Sequence, residues 1–577
     1  MAKEEKEKEK HDLEYFIGFG WYQVFHFLMQ NMKILTEMTN MSFMVFAGAF
    51  PQLICEPDPL VVPHLTINDT LEMEEKEICQ LWHNGSCSKF SMEIDFNAIA
   101  SEWGLVCDKA GLVYMSTSIQ MAGVLVGAPT FGQISDLFGR KKTTIGCFVS
   151  MLLVGGGTAF CQSFQAFAAV RFLVGFFDGG VITASFVFFI EFIKRKHRLL
   201  LMAIGGWPLA YMAFALLAYL TADWRKMALY GNILGLPALV MLFFTKESPK
   251  WLIQRGRTNE AKLIFEQLAR WNRKSIVPEE LNEVIAEERR AWLKRQTKRP
   301  TFTHLFYSWR FIRYTGALSL AWCTVSCVSY GLLFNMEKLS GNRYLNILYF
   351  GAMRVLVSLG TAGAEIFIKG CGRKTFHVVA GGFITIACTV VFLLMATGVD
   401  HSDPLAVRLL CLASACMTST LWMVVYLMAA EVYPTPVRNL ANSFCSVAAR
   451  VGGILAPQVL FLCMIIQTTL LLLRLFSHFQ GRGWGPAPFL IFAILLAIDT
   501  SVFQLLLPET KGKPLPDHMP GKEERVWKSR KQRAHRLPPE GQSSTGEEVK
   551  KNMATSAAEE DGEEDGTTSP LALSDMK

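Results

Sequence analysis

Two Glu–Arg pairs in this chain share one spacing. Glu191 is followed seven residues later by Arg198, in Glu191-Phe-Ile-Lys-Arg-Lys-His-Arg198, and Glu431 by Arg438, in Glu431-Val-Tyr-Pro-Thr-Pro-Val-Arg438. Each Glu closes an apolar run and each Arg lies just beyond it. Carboxylate and guanidinium groups so placed form bidentate, charge-assisted bonds, and with loops of a neighbouring bundle they make latches that open and close. The two pairs stand 240 residues apart. Gly132-Gln-Ile-Ser-Asp136-Leu-Phe-Gly-Arg140-Lys-Lys142 is echoed by Gly370-Cys-Gly372-Arg373-Lys374, its Gly-Arg step recurring after 233 residues. Lys246-Glu247-Ser-Pro249-Lys-Trp251 is echoed by Pro508-Glu509-Thr-Lys-Gly512 after 262. Three landmarks recurring in one order, each beside an apolar run, imply a duplicated unit. Gly132 and Gly139 allow a tight helix-to-helix turn, and Asp136 can accept from backbone N–H groups at a facing helix terminus.

A second set of candidates lies inside the apolar runs, where an ionisable side chain is costly and marks function by default. Arg450, in Phe444-Cys-Ser-Val-Ala-Ala-Arg450-Val-Gly-Gly453, would attract a carboxylate and repel an ammonium; its alternative is an internal pair with Asp178 or Asp499. Arg354 is a second buried cation that strengthens the case for an anionic ligand, or else faces Glu365. Lys33 and Glu37, four apart, share a helix face and read best as a self-neutralising pair. Tyr211, Trp322, Tyr330, Phe334, Trp422 and Tyr426 offer aromatic faces that could hold an amine by cation–π attraction.

The elements that must position these groups are membrane spans. The chain is 51% hydrophobic with 42 Phe, and its apolar residues are bunched into runs of about twenty, the length that crosses a bilayer core. Spans are predicted near 22–50, 111–135, 143–162, 165–192, 199–220 and 226–245, then 314–335, 345–368, 376–397, 405–431, 439–465 and 487–507. That makes an all-α membrane protein of twelve spans in two sets of six. Lys and Arg cluster after spans two, four, six and eight, which places those loops and both termini in the cytosol. The net charge of +7 comes mainly from that face and does not signal nucleic-acid binding.

The chain divides into a first bundle (1–245) with an external loop (51–110), a linker with short amphipathic helices (246–313), a second bundle (314–516) and a tail (517–577) expected to be disordered. The external loop leans acidic and holds two sequons, at Asn68 and Asn84. It also holds Cys55, Cys79, Cys87 and Cys107, which suggest two disulfides in one of three pairings. No cleavable signal sequence, Cys/His metal spacing, nucleophile–base constellation or phosphate-cradling Gly loop stands out. An enzyme, a metal site, a cofactor and ATP-driven action are therefore not expected.

The motifs are specific enough to suggest a family. Gly18-Phe-Gly-Trp-Tyr-Gln23, Ser101-Glu-Trp103-Gly-Leu-Val-Cys107-Asp108, Glu247-Ser-Pro-Lys-Trp-Leu252, Glu431-Val-Tyr-Pro-Thr435 and Pro508-Glu-Thr-Lys-Gly-Lys-Pro-Leu-Pro516 resemble the signatures of solute carrier family 22. That family carries organic cations, anions and zwitterions within the major facilitator superfamily, and the resemblance spans residues 15–517. It implies two bundles rocking about a central site, with Na+, H+ or a counter-transported anion as coupling partner and the plasma membrane as location. Anion and zwitterion carriers of the family tend to carry Arg where Arg450 stands and cation carriers Asp, so carnitine-like zwitterions or anions lead. The alternatives are an organic cation carrier and a transport-inactive receptor or scaffold. Helices seven and ten line the cavity in this family, which favours Tyr330 and Trp422. Two departures stand out. Lys369-Gly370 replaces the expected Asp-Arg, leaving the second gate without its carboxylate, and Met464–Gly483 is about twenty residues of extra sequence, half of it apolar and able to extend span eleven.

Overall fold

A computed structural model describes residues 13–57, 61, 75–194, 201, 206–296, 301–339, 341–368, 370–397, 404–473 and 486–511. Arg198, Asn68, Lys369, residues 474–483 of the extra segment and the tail lie outside the described residues.

The first half is built from α1 (Trp21–Met41), α2 (Ala110–Phe138), α3 (Arg140–Gly157), α4 (Phe164–Glu191), α5 (Trp207–Thr221) and α6 (Trp224–Phe244). The second is built from α7 (Trp309–Phe334), α8 (Arg343–Phe367), α9 (Arg373–Thr397), α10 (Pro404–Val432), α11 (Thr435–Leu473) and α12 (Ala487–Leu506). Among the described residues ten helices, all but α1 and α5, are long and apolar enough to cross a membrane. Described α5 has only 15 residues. Helix α1 is long enough but carries Gln23, His26, Gln30, Lys33 and Glu37, all buried among its neighbours. The expected twelve spans thus rest on these two. Helix α11 continues to Leu473, so the apolar start of the extra segment does prolong it.

Close approach of α2 to α4 follows from small residues on both. Gly123 and Gly127 on α2, and Gly175 and Gly179 on α4, leave no room for a Cβ against the opposing backbone. This is the small-xxx-small spacing that lets helices pack in lipid without a hydrophobic driving force. The turn from α2 to α3 passes through Gly139 at φ +116°, a conformation that favours glycine.

The halves meet through α2 on α11 and α5 on α8. A shift of six helices exchanges these two pairs, as a duplicated unit requires. The contacts gather at one face. Ser118 donates to the Ile454 carbonyl at 3.0 Å and accepts from Gln458 at 2.9 Å; Tyr344 stacks on Phe46 and lies edge-on to Tyr219; Arg343 reaches Asp95 at 3.8 Å.

That face also carries a hairpin that an all-α reading omits. Strands β1 (Gln52–Pro57) and β2 (Cys87–Glu93) pair antiparallel, from Gln52 opposite Glu93 to Pro57 opposite Cys87. Disulfides Cys55–Cys87 and Cys79–Cys107 settle the three-way choice of pairing, one within the hairpin and one joining helix Glu75–His83 to the approach to α2. At the opposite, basic face, helices Pro249–Gln254, Thr258–Trp271 and Pro278–Gln296 pack with Leu13–Ile17 around Phe265, Leu281 and Ile285.

Candidate functional site: two ionic latches and a central cation site

The basic face holds two related clusters. In the first half Arg140, at the start of α3, bridges Asp136 at 2.5 Å and lies 3.6 Å from Glu191 at the end of α4. In the second half Arg373, at the start of α9, bridges Glu365 at 2.6 Å and Glu431 at 3.0 Å. The next residue pair repeats as well. Glu247 accepts the Lys141 backbone N–H at 2.9 Å, while Glu509 accepts those of Arg373 and Lys374 at 2.9 and 3.0 Å. Ser248 lies close to Glu191, and Thr510 donates to Glu431 at 2.6 Å. Lys141 donates to the Phe243 and Thr245 carbonyls, and Lys374 to that of Gln504. Each half therefore ties the start of its third helix to the segment leaving its sixth. A carboxylate at a helix N-terminus gains from both the free N–H groups and the helix dipole.

Five expectations need correction. Among the described residues the latches join helices of the same half and not of opposite halves, because the halves touch at the hairpin face and each arginine finds its carboxylates nearer home. The second latch does have its acid: Glu365, eight residues before Arg373, stands in for the one missing four residues before. Glu365 is therefore engaged by Arg373 and does not face Arg354. Arg438 donates to the Tyr433 carbonyl at 3.3 Å and forms no bond to Glu431. Asp136, in turn, serves Arg140 with its carboxylate, while the backbone N–H role expected of it falls to Glu247. Sequence offered Glu365 only as a partner for Arg354, and Glu247, Ser248, Glu509 and Thr510 only as landmarks of the repeat; the recurrence of Glu-Ser and Glu-Thr was the available signal for those four.

Between the halves, Arg450 on α11 lies within electrostatic range of the Tyr330 hydroxyl on α7, and its buried Nε has no hydrogen-bond partner. Asp178 on α4 lies within electrostatic range of Arg450; Asp499 lies 3.4 Å from His377, between α9 and α12. Arg354 on α8 sits 5.7 Å over the Tyr211 ring and 5.3 Å over Phe350, and acts electrostatically on Tyr330. Arg354, Arg450, Tyr211 and Tyr330 thus converge from four helices and both halves. Tyr426, 49% exposed, lies within electrostatic range of Arg450 and Tyr330. Trp322 packs edge-on against Tyr426 at 4.3 Å and Trp422 at 5.9 Å, and at 1% exposure it supports the wall without lining it. Phe334 stacks on Tyr330 at 6.0 Å. Lys33 and Glu37 form the expected pair at 2.6 Å. Asn84 lies exposed beside the hairpin. Among the described residues no cluster of His, Cys, Asp and Glu could hold a metal ion.

Two bundles meeting by equivalent helix pairs about a central charged site are the architecture of a membrane carrier, and comparison with known proteins agrees. Residues 66–519 match the sugar (and other) transporter family. Solute carrier family 22 member 15 of Xenopus tropicalis is 30% identical over 515 residues, 86% of this chain and 88% of that protein. The organic cation transporter protein of Drosophila melanogaster is 30% identical over 436 residues, 73% of each. The xylose transporter of E. coli, solved in a partially occluded inward-open conformation, shares the fold at TM-score 0.56 and 15% identity, over 86% of this chain and all of that one. The chain belongs to the sugar (and other) transporter family, of the major facilitator superfamily, and within it to solute carrier family 22. It is a multi-pass membrane transporter of small organic molecules and not an enzyme.

Proposed function

We propose that this transporter carries small organic anions or zwitterions, carnitine-like betaines and carboxylates among them, across the plasma membrane by alternating access. The observation that carries the reading is Arg450: a guanidinium between the halves, near the Tyr330 hydroxyl and with its buried Nε unmet. A carboxylate is the group whose geometry completes it. Arg354 adds a second positive charge near the same tyrosine, while Tyr211, Tyr426 and Trp422 supply aromatic surface for the remainder of the substrate. Closure at the hairpin face, which the charge pattern places outside, supports a state open to the cytosol. The latches at Arg140 and Arg373 keep each half rigid as the two rock, and Arg438 and Arg198 serve the loops beside them. Coupling is to Na+, H+ or a counter-transported anion.

The test is uptake by purified protein in proteoliposomes of radiolabelled carnitine, ergothioneine, urate, dicarboxylates and tetraethylammonium at varied sodium and pH. Accumulation of a carboxylate that disappears in Arg450→Ala supports the reading. Accumulation of tetraethylammonium alone overturns it in favour of an organic cation carrier, which the name of the Drosophila relative favours. No time-dependent accumulation of any compound points to a receptor or scaffold.

A further inference from the structure

We propose that Asp178 is the proton-binding residue of this transporter, exchanging with the anionic group of the substrate for Arg450, so that a proton crosses with each such group. This rests on the role given to Arg450 above.

Helix α4 carries Arg171, Asp178 and Ser185 at seven-residue steps, which place them on one face. All three are shut away, at 0%, 0% and 1% exposure. The outer two are engaged. Arg171 donates to Gln120 at 2.6 Å and to the Asn40 carbonyl at 2.6 Å, and Ser185 accepts from Lys33 at 2.5 Å. Asp178, between them, has no hydrogen-bond partner on either carboxylate oxygen.

The charged groups facing Asp178 come from several helices. Lys33 and Glu37 face it from α1, Arg450 from α11, and Arg171 from its own helix, with the Tyr330 hydroxyl acting on it from α7. Of the helices packed along α4, α2 brings only Tyr114 and Asp136 as ionisable residues, and α3 only Arg140, Lys141, Lys142 and Cys147. Lys33 and Arg171 belong to the same half as Asp178 and travel with it. Arg450 belongs to the other half, so its distance from Asp178 changes as the halves rock.

A carboxylate with neither water nor a donor is expensive inside a membrane protein. Two arrangements relieve it. Asp178 is ionised and draws on Arg450, or it is protonated and leaves Arg450 to the substrate carboxylate. The site carries the same net charge in both, because the substrate anion replaces the aspartate charge and the proton goes to an Asp178 oxygen. Each ligand thereby raises the affinity for the other. A metal cation in place of the proton would need several oxygen ligands; the near neighbours of Asp178 are mainly cations.

The test uses the full chain in nanodiscs, with benzoate as the carboxylate probe. Infrared difference spectra across a pH titration should show a buried protonated carboxyl that is absent from Asp178→Asn and shifted in Asp178→Glu, which keeps the acid and controls for misfolding. A pH-indicator dye should report about one proton taken up per benzoate bound, as the reciprocal coupling requires, and no proton uptake on adding benzoate to Asp178→Asn. A carboxyl signal that persists unchanged in Asp178→Asn overturns the assignment, whatever benzoate does. Benzoate binding that is absent, or indifferent to Arg450→Ala, overturns the exchange together with the Arg450 reading, while the infrared signal still decides whether Asp178 holds a proton.

Discussion

Glu365 closes on Arg373 at 2.6 Å, eight residues along the chain and across the turn from α8 to α9. In the first half the equivalent contact spans four residues, from Asp136 to Arg140. The acid has moved one helical turn deeper, and the latch survives the move. Glu365→Gln should lower unfolding stability by about 1–3 kcal/mol, the range for a charged partner left unmet, and should slow uptake. Lys369→Asp in the same protein, by restoring the four-residue spacing, should recover both. Thermal unfolding in detergent, read beside uptake, checks this; recovery in neither measurement would mean that the contact is incidental.

Arg450→Ala should reduce carboxylate uptake about 10- to 100-fold, since a hydrogen bond to a charged group contributes about 1.5–3 kcal/mol. Arg450→Lys should restore only part, because an ammonium cannot hold a carboxylate in two parallel bonds. Arg450→Asp separates the readings: cation uptake left intact or improved would argue for a cation carrier, and loss of all uptake for an anionic substrate.

Glu509 accepts four backbone N–H groups, from Arg373, Lys374, Thr510 and Lys511, at 2.9 to 3.0 Å. Burial pushes this carboxyl upward, but the bonds outweigh burial and hold it below its ordinary value of 4.5. The folded state therefore favours the ionised form. Its contribution to stability is complete above 4.5 and drains as pH falls below that value through the lower folded one. Glu509→Gln should flatten this acid limb in unfolding measurements taken from neutrality downward. An unchanged slope would show that the acid sensitivity originates elsewhere.

Cys55 and Cys87 are 32 residues apart, and Cys79 and Cys107 are 28 apart. Loops of that size make each bridge worth about 3–4 kcal/mol in the chain-entropy account. Peptide mapping without reductant should recover these two linkages and no third combination. Cys55→Ser alone should release the hairpin while leaving the Cys79–Cys107 linkage intact.

The helices were legible because lipid demands long apolar runs, and the repeat was legible because its charged residues recur in order. Placement of the partners was not. The reach from Arg373 to Glu365 depends on how α8 ends and α9 begins, which spacing does not encode. The hairpin was missed because its two short strands carry mixed residues that alternate weakly; their pairing is set by two disulfides whose partners sequence leaves open. Arg450, Arg354, Tyr211 and Tyr330 were each named from sequence, but their convergence required α5, α7, α8 and α11 to be packed. Asp178 was noticed only as an alternative partner for Arg450, since orphaned oxygens show only once the neighbours are in place.

The polar load of α1 bears on how the protein is made. Lys and acidic residues near the middle of a helix each oppose translocon partitioning by about 2.5–3.5 kcal/mol, and Lys33 is held here by Glu37 and by Ser185 on α4. During synthesis that serine emerges 152 residues after the lysine. If α1 spans the bilayer, its insertion would therefore wait on the arrival of α4, making its entry into the lipid a cooperative act of the first half.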